Sequence, residues 1–219
     1  SSAADDDRVR ALDLIARAYH RPIVAALGVR WRLDRADAED LAQEFFARAI
    51  EKEWFTRYAR ERGRFRPFLR RCLDDFVHST FRDGSRLKRG GGAAHVALDA
   101  APETALAATD ELDRRFDLEW TRSVLGIACE RLRAECTGPR EVAWRLFERY
   151  DLTDAPDDAR PTYAALARET GEPVTQVTNH LAWARRRMRE HVLATIRSLT
   201  GDDTEYRDEV RALLGTEAP

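Results

Sequence analysis

Asp37-Ala38-Glu39-Asp40-Leu41-Ala42-Gln43-Glu44-Phe45-Phe46 is the stretch on which the reading of this chain turns. Its apolar positions Leu41, Phe45 and Ala49, with Phe46 and Ile50 beside them, recur at the spacing of one helix face. Asp34 or Asp37 supplies the cap, and acids crowd the first turns, where the helix dipole favours negative charge. The predicted helix therefore shows an acidic, partly apolar face. Asp37, Glu39, Asp40 and Glu44 also suggest a metal site or an acid/base pair, but no histidine lies near and the spacing fits a charged helix start better.

Working outward, Leu12, Ile15, Ala16, Tyr19, Ile23 and Leu27 predict one long helix or two from Arg8 to about Arg32, with a bend around Pro22. Downstream, Trp54 to Arg62 reads as a loop. Phe65, Phe68, Leu69, Cys72, Leu73, Phe76 and Val77 then mark a third helix to about Phe81, whose other side carries arginines. Between Arg57 and Arg89 stand 11 basic residues against 4 acids, although the whole chain has a formal charge of −2. Charge is thus sorted along the chain, and a neutral average hides a cationic patch suited to phosphates. Trp54, Tyr58, Phe65 or Phe68 offer stacking surfaces for unpaired bases. Phe68 and Phe76 fit the buried stripe, which leaves Trp54 and Tyr58 in the loop as the exposed pair.

From Asp83 to Asp113 the pattern dissolves into Gly90-Gly91-Gly92, alanines and acids, and reads as an interdomain linker. Phe116, Trp120, Val124, Ile127 and Leu132 predict a helix to about Cys136, broken by Gly138-Pro139; Val142, Leu146, Phe147 and Tyr150 predict another. After a loop over Asp154 to Pro161, Tyr163 to Thr170 and Val174 to Ile196 form two helices across Gly171-Glu172-Pro173, with Glu172 as cap and Pro173 at the first helical position. Leu166, Ala167, Val177, Leu181, Ala184 and Met188 are the buried positions of two helices meeting at a sharp angle. Thr175, Gln176, Thr178, Asn179 and Ala182 then face outward, the short polar ones able to reach base edges. Arg185, Arg186, Arg187 and Arg189 suit phosphates. Tyr206, Val210, Leu213 and Leu214 hint at a short amphipathic helix that folds back.

The 219 residues and a hydrophobic content of 43% fit two modest helical domains better than one sandwich. Cys72, Cys129 and Cys136 are an odd number without metal spacing and read as reduced core thiols. His20, His78, His95, His180 and His191 show no metal-ligand spacing, and there is no phosphate-binding glycine loop or nucleophile elbow. No apolar run approaches membrane-spanning length, and Ser1 to Asp7 lacks the make-up of a signal peptide, so a cytoplasmic protein without catalytic residue, metal or cofactor is expected.

In their order, these parts resemble a bacterial extracytoplasmic-function sigma factor of the sigma-70 family, an initiation subunit of RNA polymerase. Asp37-Ala38-Glu39-Asp40-Leu41-Ala42-Gln43-Glu44-Phe45-Phe46-Ala47-Arg48 is similar to the region-two helix that docks on the β′ clamp helices. Glu61-Arg62-Gly63-Arg64-Phe65-Arg66-Pro67-Phe68-Leu69 resembles the start of the helix that follows it. Tyr163 to Glu190 looks like the region-four helix-turn-helix, which also seats on the β flap. The resemblance implies an all-α chain: a region-two domain over 1–84, a flexible linker over 85–113, a region-four domain over 114–199 and a C-terminal extension over 200–219. It implies polymerase contacts at Asp37, Asp40, Leu41, Gln43, Glu44 and Phe45. Minus-ten contacts fall to Trp54, Arg57, Tyr58, Arg60, Arg62, Arg64, Arg66, Arg70 and Arg71, with a flipped base captured by the loop from Trp54. Minus-thirty-five contacts fall to Thr175, Gln176, Thr178, Asn179, His180, Arg185, Arg186 and Arg187. Core polymerase and promoter DNA are the implied partners, an anti-sigma factor or other regulator a further one, with no membrane insertion. The alternatives are a stand-alone helix-turn-helix regulator that dimerises on a palindromic operator and, more remotely, a phosphate-ester enzyme using the acidic helix.

Overall fold

The computed structural model describes residues 2–55, 58, 64–87, 102–153, 156 and 159–215, and among them lie eight α-helices and no strand. They run α1 (Ser2–Trp31), α2 (Arg35–Glu51), α3 (Phe65–Leu87), α4 (Pro102–Glu135), α5 (Glu141–Tyr150), α6 (Tyr163–Thr170), α7 (Val174–Leu199) and α8 (Asp203–Leu214). The all-α expectation holds. The chain divides into two compact units, Ser1–Ser123 with Arg197–Pro219, and Val124–Ile196.

In the first unit, α1 is one continuous helix with Pro22 inside it. It buries Tyr19, Ile23 and Leu27. Asp34 caps α2, its carboxylate accepting from the Asp37 backbone N–H at 2.9 Å, so Asp34 rather than Asp37 fills the cap position. Helical spacing then turns Ala38, Ala42, Phe45, Phe46 and Ala49 inward. On α3 the buried set is Phe65, Leu69, Leu73, Phe76 and Val77, again one face. Edge-on and tilted ring contacts join the helices: Tyr19 to Phe65 at 5.3 Å between centroids and Phe45 to Phe76 at 5.6 Å. Each such buried aromatic contributes about 1.5–3 kcal/mol by removal from water.

The segment expected as a linker over 85–113 is helical at both ends, since α3 runs to Leu87 and α4 begins at Pro102. Proline suits a first turn, and Ala105, Leu106, Ala107 and Ala108 are strong helix formers, which the reading of this stretch as a poor core-former overlooked. Residues 88–101, with the three glycines, lie outside the described residues. α4 also runs through the domain boundary expected at residue 114, and the closing helix belongs to the first unit. Its expected fold-back is observed, with Tyr206 and Val210 buried.

The second unit has two apolar clusters. Leu132, Cys136, Trp144, Phe147 and Ala184 form one; Leu146, Leu166, Val177 and Leu181 form the other, tying α5, α6 and α7 together. Thr162 caps α6 by accepting from the Ala165 N–H at 3.2 Å. The chain then turns at Gly171, which takes the left-handed conformation with φ 73°. The first helical bond of α7 runs from the Val177 N–H to the Pro173 carbonyl at 3.1 Å, so Pro173 rather than Glu172 occupies the cap, where a missing N–H costs nothing. Space around Gly171 is open, so Gly171→Ala meets no atom and loses only backbone ease; it is expected to destabilise the second unit by about 1 kcal/mol in chemical denaturation.

Candidate polymerase and nucleic-acid interfaces

The outer face of α2 carries Asp37, Asp40, Gln43 and Glu44 exposed, with Leu41 half-buried between them. Glu44 pairs with Arg48 at 3.2 Å one turn on. Phe45 does not join this face. It is 0% exposed and packs against Phe46, Trp54 and Phe76 at 5.4, 5.8 and 5.6 Å, so its assignment to a polymerase surface is corrected to the core. The reason is geometric: Phe45 lies on the same stripe as Ala38, Ala42 and Ala49, opposite the acids.

Beside α2, the chain leaves the helix through a tight turn in which Glu53 adopts φ 54°, tied to Arg8 at 2.8 Å. The Trp54 N–H donates to the Ala49 carbonyl at 2.9 Å, which sets the indole over α3. Trp54, Phe68, Cys72, Asp75, Phe76 and Ser79 line a groove of about 310 Å³. Its walls are aromatic, and Asp75 and Ser79 bring hydrogen-bonding groups, the chemistry that holds a planar heterocycle. Burial pushes the Cys72 thiol up to about 11, so it stays protonated and unreactive at neutral pH. Cys72, Asp75 and Ser79 were absent from the expected site residues. The signal was present: with Phe68 they form a stripe at helical spacing alongside the buried one. Tyr58 is half-buried, its ring against Phe65 and Phe68 at 5.3 and 5.1 Å.

The arginines divide. Arg57, Arg60 and Arg62 lie outside the described residues. Arg64, exposed, pairs with Asp208 of α8. Arg66 is largely buried; its Nε donates to Glu209 at 2.8 Å, its Nη1 to Asp117 at 2.7 Å, and its guanidinium lies 4.4 Å over Trp120. Arg70 pairs with Asp113, reaches Asp117 at 3.2 Å, and stacks 4.5 Å over Phe116. Arg71 is exposed with no carboxylate partner among the described residues.

On α7, Thr175, Gln176, Thr178 and Asn179 are exposed in the first turns and His180 is half-buried. Thr178 turns its hydroxyl back to the Val174 carbonyl at 3.0 Å. Arg186 is exposed, without a carboxylate partner among the described residues. Arg185 is held in a fork by Asp151 at 3.0–3.1 Å, donates to the Tyr163 hydroxyl at 3.3 Å, and lies 5.4 Å over Tyr150. Arg187 is gripped by Glu135 at 2.6 and 2.9 Å and by Glu190.

The hydrogen bond from Arg187 holds the Glu135 carboxyl below its ordinary 4.5, with His191 adding to the effect. Because the folded value is depressed, the stability it contributes is full above the unfolded value and is lost as pH falls through the folded one. On acid titration, the wild type is therefore expected to lose more stability than Glu135→Gln between about pH 6 and about pH 3, read from denaturant midpoints.

Among the described residues there is no cluster of three metal-ligating groups, and no helix is long and apolar enough to cross a membrane. Residues 17–87 match the family model of Sigma-70 region 2. The match covers about a third of the chain, from the middle of α1 through α3, and contains both the acidic face of α2 and the groove beside Trp54. This part of the chain is thus similar to sigma-70 region 2, a likeness that supports a role in binding core RNA polymerase and promoter DNA. Neither the curated proteins nor the solved structures gave a match.

Proposed function

We propose that the chain is a promoter-specificity factor of the extracytoplasmic-function type, which binds core RNA polymerase and directs initiation without making or breaking a bond itself. The observation that carries this reading is that the region 2 match encloses an exposed acidic face on α2 and, beside it, an aromatic groove at the start of the arginine segment. Asp37, Asp40, Leu41, Gln43 and Glu44 meet the basic β′ clamp helices. Trp54 and the groove along Phe68, Cys72, Asp75 and Ser79 take a flipped base of the minus-ten element, with Arg71, Arg57, Arg60 and Arg62 on the strand's phosphates.

In the second unit, α6, the turn at Gly171 and α7 act as a helix-turn-helix. Thr175, Gln176, Thr178 and Asn179 face base edges of the minus-thirty-five element, and Arg186 contacts phosphate. Arg185 and Arg187 are engaged by Asp151 and Glu135, so they position α7 more than they bind DNA. Gel filtration with core polymerase tests the reading. The chain is expected to co-elute with polymerase at one copy per enzyme; a dimer on a palindromic operator with no affinity for polymerase supports a stand-alone regulator instead.

A further inference from the structure

α8 brings its acids to the first turn of α3. The Glu205 carboxylate, only 4% exposed, accepts from the Phe65 N–H at 2.6 Å and the Gly201 N–H at 2.7 Å, and so caps a helix 140 residues away in sequence. Asp208 pairs with Arg64, and Glu209 forks onto Arg66 with both side chains largely buried. Asp202 caps α8 itself by accepting from the Glu205 N–H at 2.8 Å. Arg197 fixes the preceding turn, 2.6 Å from Asp203 and 4.0 Å over Tyr206.

These contacts have the form of phosphate recognition: a guanidinium fork on two anionic oxygens, and a backbone N–H at a helix start aimed at negative charge. Arg64, the Phe65 N–H and the Nε edge of Arg66 are already filled by side chains of α8, while Asp117 of α4 takes the Arg66 Nη1. Two buried apolar side chains, Tyr206 and Val210, anchor the helix. The other two buried residues, Glu205 and Glu209, regain hydration if it leaves.

We propose that α8 is an intramolecular acidic cover that occupies the sites at Arg64, Arg66 and the Phe65 N–H, so that nucleic-acid phosphates gain this end of α3 only when α8 detaches. The inference rests on the reading of the α3 arginines as a nucleic-acid surface. Asp117 of α4 also holds the Arg66 Nη1, and Arg70 is engaged by Asp113 and Asp117, so release of α8 frees Arg64 and the Nε–Nη2 edge of Arg66 but not Arg70.

The test uses the full chain and a fluorescent single-stranded oligo-dT 15-mer, followed by anisotropy over a salt series. Asp208→Asn/Glu209→Gln is expected to bind about tenfold more tightly than wild type. The slope of log affinity against log salt should steepen by about 1.4, the value for two added phosphate contacts on a single strand. Asp5→Asn/Asp6→Asn, which makes the same change in net charge on the exposed start of α1, should leave the slope as it is. If loss of Glu209 disturbs folding, Asp208→Asn alone, at a partly exposed position, should give about half the change in slope. Equal affinity and slope in wild type and α8 variants overturn the proposal, as does equal tightening in the α1 control. Co-elution with core polymerase, measured in parallel, separates the two readings: binding to polymerase with unchanged DNA affinity overturns the cover alone, and absence of both overturns the sigma reading as well.

Discussion

Asp40→Arg/Gln43→Ala is expected to weaken binding to core polymerase by about a hundredfold while leaving thermal unfolding where it was. Both side chains stand exposed on α2, away from the Asp34 cap and from the buried stripe through Phe45, so nothing in the fold depends on them. Against a basic surface, the arginine turns an attraction into a repulsion, and the alanine removes a hydrogen-bonding group at the same patch. The measurement is a titration of labelled chain against core polymerase, with a melting curve of each variant alongside. A parallel loss of stability would move the effect from the interface into the fold.

Phe45→Ala is expected to do the reverse. A ring with no exposed surface, touching Phe46, Trp54 and Phe76, leaves a cavity when removed, at a cost of about 3–5 kcal/mol. The denaturant midpoint should fall accordingly, and emission from Trp54, which leans on that ring, should change before the main transition. Were Phe45 a surface contact, polymerase affinity would drop at unchanged stability. The two substitutions therefore separate the two faces of one helix.

Much of this architecture was legible in the sequence because period and capping are local properties. Leu41, Phe45 and Ala49 announced α2, Phe65 to Val77 announced α3, and the spacing of Tyr206 and Val210 announced a tail that folds back. The same periodicity could have removed Phe45 from the polymerase face, since Ala42 and Ala49 flank it on the stripe; reading the motif as a unit obscured that.

What could not be read was the pairing of charges. Arg66 finds Asp117 and Glu209, and Arg70 finds Asp113, at separations of 43 to 143 residues. No local pattern tells a solvated arginine from one folded against a distant helix. An arginine-rich helix thus looked uniformly available, whereas its first turns are occupied and Arg71 is not. The start of α4 is hidden for a different reason: the acids and alanines of Glu103 to Asp113 offer little to a core, yet alanine needs no core to favour helix.

The most direct test is run-off transcription with core RNA polymerase from the source organism on fragmented genomic DNA, with and without this chain. Discrete transcripts are expected that require the chain and vanish with Asp40→Arg/Gln43→Ala. An unchanged transcript pattern, from a chain that also fails to bind the polymerase, would contradict that expectation.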